Sequence, residues 1–167
     1  MNKEITVQKD IDVLRRFFKQ ESLEVLSEKE GSEVIAFSLS GKGHADFSTL
    51  SCSFNTESNH AVVEFSILSR DSFPEKTMAA LLELINILNI AEITAAWSIT
   101  PDWKVELRGG VVSPLGCLDM AQLKKTLERF LQCASRCYPA IVDQVKGEKD
   151  PQDNMGQLVE ENRDFFI

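Results

Sequence analysis

The stretch from Pro74 to Gly116, PEKTMAALLELINILNIAEITAAWSITPDWKVELRGGVVSPLG, constrains this chain more than any other. Met78, Leu81, Leu82, Ile85 and Leu88 recur at helical spacing. Ala95, Trp97 and Ile99 then alternate at the two-residue period of a strand. Pro101-Asp102 supplies a turn, and Trp103, Val105 and Leu107 alternate again. A helix feeding a hairpin is expected. Pro74 suits the first helical position and Glu75 the positive end of the helix dipole, and the helix is expected to end near Ile90. Asn86 and Asn89, near that end, are expected to hold the following loop with their side chains. The two tryptophans are expected to lie near each other across the hairpin. Gly109-Gly110 is read as a bulge or sharp bend before Val111-Val112.

Upstream, residues 7–20 read as a first helix. Val7, Ile11, Leu14, Phe17 and Phe18 share one face, and Thr6 is placed as the N-cap. Three strands are expected next. Val34 to Ser40 carries Ile35, Phe37 and Leu39 on one face. Phe47 to Asn55 carries Leu50, Cys52 and Phe54. Ala61 to Ser69 carries Val63, Phe65 and Ile67. The turns are read at Ser40-Gly41-Lys42-Gly43 and Thr56-Glu57-Ser58-Asn59. Short turns between alternating runs imply an antiparallel meander with one covered face and a serine-rich face turned to solvent.

Downstream, Asp119 is a good N-cap. Met120, Leu123, Leu127, Phe130, Ala134, Cys137 and Ile141 follow at alternating three- and four-residue steps. This long helical seam is expected to pack on its own sheet, with Pro139 kinking or interrupting it. From Gly147 the composition changes. Residues 148–167 hold six acidic and two basic side chains, half of the net charge of −8, and end in the apolar Phe165-Phe166-Ile167. The expected organisation is one α+β domain over 1–147 and an acidic, mobile tail over 148–167.

At 167 residues and 43% hydrophobic composition, the chain can bury a core without a metal or disulfide staple. The net charge of −8 argues against nucleic acid and against anionic membrane surfaces, since Arg15-Arg16 and Lys124-Lys125 each lie beside acids. The first residues, MNKEITVQKDID, carry no apolar signal-type segment, and no window approaches a membrane span. A cytoplasmic location is expected. Cys52, Cys117, Cys133 and Cys137 read as buried or partly buried reduced thiols. Zinc would need ligands beyond Cys133 and Cys137, and His44 and His60 show no ligand-pair spacing. No Walker loop, dinucleotide fingerprint or G-x-S-x-G elbow occurs. No catalytic, cofactor or metal residue is assigned.

The order helix, three-strand meander, helix, hairpin, long helix resembles the YbjN-like family, which shares the type III secretion chaperone-like fold. LINILNIAEITAAWSI, the Trp103–Leu107 strand and LDMAQLKKTLERFLQ carry the likeness, which spans about residues 7–146. The resemblance implies a small, acidic, often dimeric protein without enzymatic activity. By the same likeness, a partner segment would be sought on the first helix and the sheet, at Ile11, Leu14, Phe18, Ile35 and Phe37.

The functional expectation is a non-enzymatic protein-binding or chaperone-like, regulatory module. It would act as a homodimer with a protein partner and without a cofactor, nucleic acid or membrane. The alternative is a small-molecule-binding protein or enzyme with a pocket between helix and sheet.

Overall fold

Six antiparallel strands and three helices build the domain, in a computed structural model that describes residues 3–31, 34–40, 47–91 and 95–147. The readings of the 40–43 turn, of His44 and of the 148–167 tail lie outside the described residues or, for the turn, largely outside them. The helices are α1 (Lys3–Gln20), α2 (Met78–Ala91) and α3 (Met120–Lys146). The strands are β1 (Glu24–Glu30), β2 (Val34–Ser40), β3 (Leu50–Glu57), β4 (His60–Leu68), β5 (Ala95–Ile99) and β6 (Val105–Pro114). Their order in the sheet is β1-β2-β3-β4-β6-β5. Four strands run as a meander. The chain then crosses through α2 to the far edge and returns as β6 between β4 and β5.

The architecture is the expected α+β fold, with one strand more than the sequence announces. The bounds of β2 are those read from its alternation, and β4 differs from its reading by one residue at each end. β1 was not anticipated. Its sequence, EVLSEKE, has four charged residues and no apolar alternation, and all seven of its residues are exposed. It is an edge strand that buries nothing, so no burial period is written into it. A bulge between Val25 and Ser27 interrupts its pairing with β2.

The helices share one face of the sheet. Phe17 of α1 meets Phe65 of β4 at a ring separation of 6.3 Å, and Phe65 meets Phe130 of α3 at 6.2 Å. Phe18 meets Phe37 of β2 edge-on at 5.1 Å. Phe17, Phe18, Phe37, Phe47, Phe54, Phe65 and Phe130 are all buried. Burying each ring is worth about 2–3 kcal/mol relative to leaving it in water. The helix-to-sheet layer is therefore filled by aromatic side chains.

Four local readings change. Thr6 is not an N-cap: α1 starts at Lys3, and Thr6 is a buried residue within it. α2 follows a 3-10 turn, Glu75–Thr77, rather than starting directly after Pro74. Gly109-Gly110 forms no bulge, because β4 and β6 pair from His60↔Pro114 to Leu68↔Glu106 without a shift. Gly110 is required there by close approach, since a Cβ would fall 2.2 Å from the Val63 carbonyl oxygen. Pro139 does not interrupt α3, which continues to Lys146. Pro139 faces solvent, where water can take up the carbonyl left without a helical donor. The Asp119 cap holds, with its side chain accepting from the Gln122 amide, and Gly147 closes the helix at φ 71. No helix among the described residues is long and apolar enough to cross a membrane.

Candidate interaction surfaces

α1 lies across the sheet, and that placement decides the fate of the candidate partner residues. Ile11, Leu14, Phe18 and Phe37 are buried in the core, and Ile35 is half-buried against it. They belong to one packed layer, not to an accessible groove. A partner reaches them only if α1 lifts from the sheet.

The N-terminal half of α1 is tied down by a polar clasp that the apolar pattern hides. The fully buried Asp10 carboxylate accepts from the Gly116 amide at 2.6 Å and from the Leu118 amide at 3.1 Å. Lys9 Nζ donates to the Gly116 carbonyl at 2.7 Å. Gly116 stands at φ 82, and a Cβ there would come within 2.5 Å of Thr6 Cγ2. The loop that launches α3 is thus fitted to α1, and only glycine fits. The sequence carried one signal of this: Asp10 interrupts the apolar stripe between Val7 and Leu14.

At the opposite edge, Asn89 of α2 reaches β5. Its Nδ2 donates to the Trp97 carbonyl at 2.9 Å, and its Oδ1 accepts from the Trp97 amide at 2.7 Å. Asn89 therefore holds the strand, while Asn86 is exposed and the loop over residues 92–94, which both were expected to hold, lies outside the described residues. The tryptophans separate. Trp97 is buried, pairs with Leu107 and lies 6.4 Å from the Phe47 ring, which in turn lies 4.3 Å from Tyr138. Its indole Nε1 has no hydrogen-bond partner. Trp103 is exposed in the hairpin turn at φ 63, a left-handed conformation that costs a bulky residue roughly 1–3 kcal/mol. The turn is held by the Lys104 amide donating to Thr100 Oγ1 at 3.1 Å and by Thr100 Oγ1 donating to Asp102 at 2.6 Å. That hydroxyl holds the Asp102 carboxyl below its ordinary range.

The second face of the sheet carries none of the three helices. Register places Val34, Asn55, Val62 and Val112 in one row across β2, β3, β4 and β6. Val112 is 62% exposed and Val34 40%. The next rows are small and polar. Ser53, Glu64 and Gly110 align, then Ser38, Ser51, Ser66 and Arg108. Arg108 pairs with Glu106 at 3.0 Å along its own strand. This face combines an aliphatic row with a shallow serine-rich floor.

Other chemistry is modest. Burial, followed by the charge of Glu64, pushes the Cys52 thiol far up and keeps it protonated, which removes it as a nucleophile. Cys133 is buried, Cys137 half-buried and Cys117 exposed, so the reading of covered thiols fails for Cys117. Among the described residues, no three metal-ligating side chains lie together. A groove runs along the outer side of α1 past Ile5, Lys9, Asp12 and Arg16. It lies on the surface, whereas the alternative reading placed a pocket between helix and sheet.

No family model matches the chain, and no curated protein matches it. Among solved structures, it is similar to the crystal structure of YbjN from E. coli, a protein for which a role in transcription regulation has been suggested. The TM-score is 0.52 and the identity 14%, over 75% of this chain and 85% of that one. The likeness supports a YbjN-like α+β fold.

Proposed function

We propose that this protein is a non-enzymatic, regulatory protein-binding module of the cytoplasm that works as a homodimer. The helix-free sheet face is its contact surface. The observation that carries the reading is the row Val34–Val62–Val112, aliphatic and exposed at both ends on a face whose other side chains are mostly small. Such a face lets a second sheet approach to about 10 Å, with the valines interdigitating. Solvent-exposed aliphatics on β2 and β6, in one row with the half-buried Val62 of β4, are otherwise a standing cost in solubility. The role suggested for YbjN fits a regulatory reading. With a net charge of −8, such a role in this chain runs through protein contacts rather than DNA phosphates. A chaperone-like use of the fold is a variant of this reading, with α1 as the element that would have to move.

Sedimentation velocity over a concentration series tests it. The wild type is expected to sediment as a dimer. Val112→Glu and Val34→Glu, both at exposed positions, are expected to shift it to monomer without changing thermal stability. A wild type that stays monomeric at every concentration refutes the homodimer. A dimer indifferent to both substitutions refutes the sheet face as its interface.

A further inference from the structure

β5 is the outermost strand at its end of the sheet. Its sequence, AAWSI, has no charge, no proline and strong β-formers at its centre and end. Uncovered, such a strand is a template for pairing with another chain. Most edge strands of this kind carry lysine, proline or a bulge; β5 carries none of these. What it has is Asn89. In an antiparallel pair, alternate residues turn both their amide and carbonyl away from the partner strand. Trp97 is such a residue, because both of its backbone groups bond the Asn89 side chain, at 2.7 and 2.9 Å. A carboxamide presents one donor and one acceptor side by side, as a peptide group does. Asn89 thus occupies the place that one residue of a seventh strand would take.

We propose that Asn89 seals the β5 edge, and that its carboxamide prevents β5 of a second copy of this chain from adding to the sheet there. The seal is intramolecular and central. It satisfies the middle of a five-residue strand, so an incoming strand must first break both bonds at Trp97. This inference is independent of the sheet-face reading. The experiment is therefore done in the Val112→Glu background, where association through that face is not counted.

Asn89→Ala and the control Asn86→Ala, which removes an exposed amide from the same helix, are compared by sedimentation velocity and amide hydrogen exchange. Asn89→Ala is expected to give concentration-dependent species larger than the background protein, and roughly tenfold faster exchange at the Trp97 amide in the unassociated protein. Asn86→Ala is expected to give neither. Adding Ser98→Lys, an exposed charge on β5 itself, is expected to abolish the association without restoring slow exchange. A purely structural asparagine would lower stability and leave association untouched. The proposal is overturned by a folded Asn89→Ala protein that sediments like its background, or by association that Ser98→Lys does not suppress. If Asn89→Ala does not fold, Asn89→Asp carries the test, because it keeps the acceptor for the Trp97 amide and loses the donor. Association above background then supports the seal, and background sedimentation overturns it.

Discussion

The two ends of this sheet solve the same problem in opposite ways. At one end, β1 is exposed along its whole length and carries Glu24, Glu28, Lys29 and Glu30 with a bulge at its start. At the other, β5 is neutral, buries Trp97 and Ala95, and is closed by a helix side chain. β1 stays out of other sheets through charge and irregularity. β5 has both outward backbone groups of its central residue, Trp97, already taken by Asn89. One end is held by packing and the other by little more than its ladder, so stability is expected to be distributed unequally between them.

The largest effect is expected at the packed end. Trp97→Ala removes a buried indole that touches Phe47 and supports the Phe47–Tyr138 contact, and is expected to cost about 3–5 kcal/mol in urea unfolding. That is a large share of the stability of a single domain. Trp97→Phe sharpens the point. It loses volume but also removes an indole N–H buried without an acceptor, so a loss below about 1.5 kcal/mol is expected. Equal losses for the two variants would mean that a smaller aromatic ring recovers none of the packing of the indole.

The next effect concerns how α1, the helix above the β1 end, is fastened. Asp10→Ala leaves the Gly116 and Leu118 amides buried without an acceptor, and is expected to cost about 2–4 kcal/mol. Asp10→Asn, which keeps one acceptor, is expected to recover part of it. A loss below about 0.5 kcal/mol would show that α1 is held by its phenylalanines alone.

These cases also mark what the sequence could and could not convey. Val34 to Ser40 was legible because Ile35, Phe37 and Leu39 are turned to the core, and burial at period two is what alternation records. The α3 seam was legible for the same reason at period 3.6. β1 buries nothing and left no trace. Trp97 and Trp103 look equivalent beside the same turn; the positive φ that turns one outward belongs to the folded hairpin. The candidate surface meets a related ambiguity. An apolar helix face and an apolar strand face read alike whether they meet each other or a partner, and here Phe18 meets Phe37. The Asp10 clasp joins residues 106 and 108 positions apart, which no local pattern reports.

The smallest effect is expected where β1 meets α1. Arg15 and Glu28 pair at 2.6 Å, with side chains 44% and 31% exposed. A pair so open to water is screened and gives back in side-chain entropy much of what it gains, so Glu28→Gln is expected to cost under about 1 kcal/mol. In roughly 1 M salt, where the screening length falls to about 3 Å, the difference from wild type should shrink towards zero. The two arms of this measurement separate two views of β1. A small, salt-sensitive loss means that the strand rests on its ladder with β2, and that its acids serve mainly to keep other strands away. A loss above about 2 kcal/mol that survives high salt would make the ion pair a structural tie, and the contrast between the two ends of the sheet would no longer hold.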